Sequence, residues 1–97
     1  MKSNLIAELR FSFAVEMVKF CRDLTARRES VISNQLLRSS TSIGANIEEV
    51  SAAQTKPDFI AKMSMASKEA RETRYWLKIL KATESNGSFF DQFLEKI

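Results

Sequence analysis

A chain of 97 residues with 15 lysines and arginines against 12 aspartates and glutamates carries a net charge of +3. That permits an acidic partner without demanding one. At this length the chain is one domain, residues 1–97, with a thin core that buries roughly 60–70% of its extended-chain surface, so self-association is a natural supplement. Two glycines, one proline, one cysteine and no histidine speak against an all-β or loop-rich fold, an internal disulfide, and the usual acid–base and zinc-site chemistry.

Met1 to Leu9 does not read as a signal peptide, because Lys2, Glu8 and Arg10 interrupt any apolar run. No apolar stretch approaches the roughly 20 residues needed to span a bilayer. The expectation is therefore a cytoplasmic protein with no membrane partner, in which Cys21 is a small buried apolar residue rather than a nucleophile.

The spacing predicts a first helix over about 4–27. Leu5, Leu9, Phe13, Met17, Phe20 and Leu24 recur on one helical face, and Phe11, Val15, Val18 and Cys21 form a second apolar flank, so contact from two sides is expected. Arg27 and Arg28 close the helix where positive charge suits its dipole. A second helix, about 31–53, starts at Ser30 as N-cap and carries the stripe Leu36, Ser40, Ile43, Ile47, Val50.

The third helix, about 56–83, opens at "TKPDF", with Thr55 as cap, Asp58 completing a capping-box-like pair, and Pro57 tolerated in the first turn. Phe59, Met63, Ala66, Ala70, Thr73, Leu77 and Leu80 alternate steps of four and three, the seam of a helix packed at a shallow angle in a bundle. Glu84 to Gly87 stop it, with Gly87 suited to a left-handed C-terminal position, and Ser88 with Asp91 starts a fourth helix over 89–97. That helix is about 14 Å long against about 42 Å for the third. It can cover Leu80, Leu77 and Thr73 but leaves Phe59 and Met63 bare, so either the natural chain continues past Ile97 or a neighbouring subunit fills the groove. The fold class expected is all-α: an antiparallel up-and-down four-helix bundle whose fourth helix is short or truncated.

"RSSTSIGANIEEV" (Arg38–Val50) concentrates hydroxyls around one glycine. A phosphate-cradling loop needs more glycines and a Lys-Ser or Lys-Thr after them, which this stretch lacks. A serine nucleophile needs a base: there is no histidine, and a Ser-Lys pair stays formally open but has no sharp strand-to-helix turn to present the serine. The better reading is a packing surface: Ser40 and Gly44 are small so that helices approach closely, and Asn46 bonds across to another helix and sets register. Glu48, Glu49, Glu69 and Glu72 invite comparison with di-metal bundles, but no histidine completes a site, so no metal and no cofactor are expected. Glu69 and Glu72 are expected to pair with Lys62, Lys68 or Lys78 on the solvated helix surface.

Lys68, Arg71, Arg74, Lys78 and Lys81 fall within an arc of about 140° on the third helix, with Tyr75 inside it. A solvated face is the plainer reading of this ridge alone. Ridges gathered by assembly could instead follow a phosphate backbone while Tyr75 stacks a base. Trp76, about 100° further round, is expected to anchor a helix contact or a subunit interface, with Phe59 and Met63 at its uncovered end.

Gln35-Leu36-Leu37-Arg38-Ser39, Ser42-Ile43-Gly44-Ala45-Asn46-Ile47, Asp58-Phe59 and Glu69-Ala70-x-Glu72-Thr73-x-Tyr75-Trp76-Leu77 together resemble the four helix bundle protein family. Its members are also called 23S rRNA intervening-sequence proteins and are often labelled S23 ribosomal protein. The resemblance covers Ser33 to Leu80; relatives commonly carry glycine where Ser40 stands, alanine where Glu48 stands, and a longer fourth helix. It implies an up-down bundle assembled as a ring-shaped homo-pentamer. Some members are encoded inside intervening sequences of rRNA genes, and a related branch binds nucleic acid through a basic surface as an accessory protein of diversity-generating retroelements. Most members have no established activity and there are no catalytic residues to carry over; Arg38 is a shared charged position.

The resulting expectation is a non-enzymatic homo-oligomer that binds RNA or DNA through Arg38, Lys68, Arg71, Arg74, Tyr75, Lys78 and Lys81. Ser40, Gly44, Asn46, Trp76, Phe59 and Met63 serve packing or interfaces, and no small-molecule substrate is evident. The alternative is a scaffold whose apolar groove holds a partner protein's helix.

Overall fold

Apolar residues three and four apart wind the described residues of this chain into three long helices and one short one in the computed structural model. They are α1 (Lys2–Ala26), α2 (Ser30–Val50), α3 (Lys56–Thr83) and α4 (Asp91–Leu94). The structure describes residues 2–27, 29–83 and 90–97, and only the backbone of residues 2–4, 6 and 7. The roles expected of Arg28, Glu84, Gly87, Ser88 and Phe89 lie outside the described residues.

Short corners make neighbouring helices antiparallel. The Glu29 N–H reaches back 2.9 Å to the Leu24 carbonyl and closes α1. The N-cap of α2 is Glu29, with no side-chain cap bond, rather than Ser30, which is drawn into the first turn. The backbone bond across the tight corner satisfies a carbonyl at the end of α1, and no side chain caps the first turn of α2. At the next corner, the Ala52 and Ala53 N–H groups bond the Glu49 and Val50 carbonyls at 3.1 Å. These tight turns end α2 at Val50, three residues short of the expected boundary. The start of α3 follows the expectation: the Asp58 N–H donates to the Thr55 hydroxyl at 3.2 Å, and the Phe59 N–H to the Thr55 carbonyl at 3.0 Å.

Phe13, Met17, Phe20, Cys21 and Leu24 of α1 meet Leu36 and Ile43 of α2, Leu77 and Leu80 of α3, and Phe90 and Phe93. Each large side chain so buried contributes about 1.5–3 kcal/mol relative to exposure. Along α1 and α2 the Ser33 hydroxyl donates to the Cys21 carbonyl at 2.9 Å, while Gly44 lies over the Arg10 carbonyl, which shows that they run in opposite directions. Burial pushes the Cys21 thiol above its ordinary range, with the Ser33 hydrogen bond acting the other way. The described structure measures 46 × 24 × 20 Å, so α3 runs nearly its full length.

The fourth helix is shorter than the 89–97 expected. It is a single turn, four residues long, because few intrahelical bonds repay the nucleation of so short a helix. Tertiary contacts hold it: the Phe20 ring lies 5.5 Å from Phe90 and 5.2 Å from Phe93. Below it, Lys96 Nζ pairs with Glu16 at 2.8 Å and the Lys96 carbonyl accepts from Arg10 Nη1 at 3.0 Å. Leu77 and Leu80 share a buried cluster with Phe90 and Phe93, and Thr73 is buried against Ser39 of α2, but Phe59 and Met63 remain 46% and 42% exposed.

At that same end of the bundle Leu5 and Leu9, expected in the core stripe of α1, are exposed, because no described element lies over them. The second flank of α1 also divides. Cys21 is buried and Val18 half-buried, while Phe11 and Val15 face out, so contact from two sides is confined to the C-terminal half of α1.

Candidate functional site

The outer face of α3 carries Lys68, Arg71, Arg74, Tyr75, Lys78 and Lys81, all exposed. The rise of an α-helix spreads them over about 20 Å. Among the described residues Lys68, Arg74 and Lys78 form no ion pair. Arg71 Nη1 donates to its neighbour Ser67 Oγ at 2.9 Å and keeps its charge unpaired. Lys81 is bound to Asp91 at 2.5 Å, at the start of α4, which leaves it a weaker candidate for a phosphate. The carboxylates of α3, Asp58, Glu69 and Glu72, all project outside the cationic arc at 100° per residue.

Arg38, placed in the candidate interface from the sequence, is otherwise engaged. Its Nη1 lies 3.1 Å from Glu69 Oε2, and its Nη2 bonds Glu72 Oε1. Of the lysine pairs expected for Glu69 and Glu72, only a weak electrostatic pull of Lys68 on Glu72 is present, and one interhelical clamp to Arg38 dominates. The reason is reach: an arginine fork on α2 presents two parallel donors to two carboxylates one turn apart on α3. Hydrogen bonding to Arg38, more than any other contact, holds the Glu72 carboxyl below the usual range, with Trp76 adding to it. The bond to Glu72 chiefly raises the Arg38 guanidinium. Trp76 Nε1 donates to Glu72 Oε1 at 3.4 Å, and the half-buried indole lies 5.5 Å from the Tyr75 ring at 59°.

The hydroxyl-rich stretch of α2 turns Ser39 and Ser40 into the interior and spends its hydroxyls on its own backbone. Thr41 and Ser42 donate to the Leu37 and Arg38 carbonyls at 2.7 Å, and Ser39 and Ser40 to Leu36 and Leu37 at 3.4 Å. Such bonds leave a helix hydroxyl with little freedom to act elsewhere. Asn46 departs from expectation: among the described residues its amide donates to the Ser42 carbonyl at 2.9 Å, one turn back in its own helix. That carbonyl is the nearest acceptor for a side chain four residues on. Gly44 does sit against the backbone of α1, but a methyl placed there would lie 3.7 Å from the Arg10 carbonyl oxygen, ordinary contact that alanine also satisfies.

Two buried hydroxyl links went unread in the sequence. Ser33 joins Thr25, at 3.0 Å, and the Cys21 carbonyl. Ser39 faces Thr73 across the α2–α3 contact at 2.8 Å. Both serines sit three residues from Leu36, a signal that the stripe extends upstream and is wider than one row. Among the described residues no three metal-ligating side chains gather, and no helix is long and apolar enough to cross a membrane.

A crystal structure of a protein of unknown function from the S23 ribosomal protein family of Bacteroides thetaiotaomicron is similar over nearly the whole chain. It shares 42% identity at a TM-score of 0.93, over 99% of this chain and 88% of that one. Among curated proteins none matches. The family model of the 23S rRNA-intervening sequence proteins matches residues 2–96, and with the bundle and its motifs in place, the chain belongs to that family.

Proposed function

We propose that this bundle is a non-enzymatic protein that assembles with copies of itself and binds RNA or DNA without sequence preference. The contacts are made to phosphates from the outer face of α3. The observation that carries the reading is the segregation of charge on that helix. Lys68, Arg71, Arg74 and Lys78 are exposed on one arc, whereas Glu69 and Glu72 lie off it and are tied to Arg38. Arg38 therefore serves the interface by neutralising its neighbours rather than by touching a phosphate. Unpaired cations at helical spacing on a convex rod follow a polyanion and read no base edges.

Self-association is supported by Leu5, Leu9, Phe59, Ile60 and Met63, apolar and exposed at one end of the bundle, a surface that a monomer does not keep at low cost. The family resemblance makes a ring of five the expected form, and such a ring multiplies the field of one ridge. The same apolar surface also favours the second reading, a scaffold that takes a partner protein's helix. Retention of structured rRNA fragments by the purified protein at low salt tests the choice. Retention that weakens as salt rises supports nucleic-acid binding, and an oligomer retaining nothing at low salt contradicts it.

A further inference from the structure

We infer that Tyr75 is a base-stacking platform, so that the α3 face selects single-stranded over double-stranded nucleic acid; this rests on the phosphate-binding reading above. Tyr75 is 59% exposed, opposite the buried stripe of its helix. Arg71 stands one turn before it and Lys78 about one turn after, within about 4.5–6 Å of axial rise on either side. Cations thus bracket an aromatic face along the line a backbone would take.

The ring is also restrained. It leans on Trp76 at 5.5 Å; Trp76 is bonded to Glu72, and Glu72 to Arg38 of the neighbouring helix. A ring already held loses less freedom when a base settles on it. The neutralised Glu72 carboxylate, the nearest acid on that flank, does not turn the strand away.

In a duplex the base faces are covered by their neighbours, and a convex helix face carrying a ring meets only sugar and phosphate. In a single strand the bases can splay out and stack on an aromatic side chain. Cationic contacts therefore serve both forms, and Tyr75 serves one.

The test is fluorescence anisotropy with a labelled mixed-sequence 20-nucleotide RNA and the duplex of the same length, at fixed low salt. The protein is wild type, Tyr75→Ala, Tyr75→Phe and Arg74→Gln, each checked for helicity by circular dichroism. Wild type binds the single strand more tightly. Tyr75→Ala loses about 5- to 160-fold on the single strand, the range set by stacking one base, and less than 2-fold on the duplex. Tyr75→Phe keeps the single-strand affinity, and Arg74→Gln weakens both forms alike. A Tyr75→Ala protein that binds both as wild type does, or weakens equally on both, overturns the stacking role while leaving phosphate binding intact. Absence of binding to either RNA by wild type at low salt overturns both readings.

Discussion

Thr73 and Ser39 form the most stringent polar contact in the core, and replacing Thr73 by valine isolates it. The Thr73 hydroxyl lies 2.8 Å from Ser39 Oγ and 2.8 Å from the Glu69 carbonyl, with both residues fully buried. Valine keeps the shape and removes the hydroxyl, leaving Ser39 only its 3.4 Å bond to the Leu36 carbonyl. A buried hydroxyl stripped of its good partner costs about 1–3 kcal/mol, and the lower half of that range applies because one weak bond survives. The expected loss is about 1–2 kcal/mol, or roughly 5–15 °C in Tm for a domain of this size. Ser39→Ala should cost about 0.5–1 kcal/mol, since Thr73 keeps the Glu69 carbonyl. The double variant should be less destabilised than the sum of the two, because valine and alanine leave no orphaned group. Urea unfolding followed by circular dichroism and by the emission of Trp76, the single tryptophan, measures all three. A Thr73→Val protein as stable as wild type, or strict additivity in the cycle, would refute the reasoning.

Gly44→Ala should stabilise the fold by about 0.5–1 kcal/mol in the same assay, because the added methyl meets the Arg10 carbonyl oxygen at 3.7 Å while helix propensity improves; a loss of stability would show the contact to be tighter than that. Arg38→Ala should cost about 1 kcal/mol at pH 7, since it breaks two half-exposed ion pairs. The sign of its pH dependence follows from Glu72. A carboxyl held below its ordinary range contributes stability that is fully present above the unfolded-state pKa and is lost as pH falls through the lower folded-state value. The gap between Arg38→Ala and wild type should therefore close in acid, and a gap that stays constant from pH 7 to pH 3 would contradict the clamp.

The long helices and their buried stripes were legible because Leu36, Ile43, Leu77 and Leu80 obey a single rule, apolar recurrence at helical spacing, that needs no knowledge of the neighbour. The bareness of Phe59 and Met63 was legible too, since it follows from comparing helix lengths. What escaped was polar pairing. Arg38 read as an open cation, and only the antiparallel registration of α2 on α3 brings Glu69 and Glu72 to its fork. Asn46 read as a bridge, yet an acceptor one turn back in its own helix competes with any acceptor across the interface. Ser33 and Ser39 were overlooked because a serine carries no apolar signal, and its burial is set by the helix that faces it. For the same reason the α3 ridge was visible as a pattern of charge, while the division of its cations into paired Lys81 and unpaired Arg74 and Lys78 depended on where α4 lies.

The central claim is that the cations of α3 carry binding to a polyanion, and the most direct measurement is the salt dependence of affinity for one single-stranded RNA. Wild type is compared with Arg71→Gln/Arg74→Gln/Lys78→Gln, after circular dichroism and sedimentation show both to have the same fold and assembly. Each phosphate contact contributes about 0.7 to the slope of log affinity against log salt on a single strand. The account predicts that the triple variant binds more weakly at low salt and that its slope is shallower by about 2 per chain in contact. An unchanged affinity and an unchanged slope would place the binding surface elsewhere and contradict it.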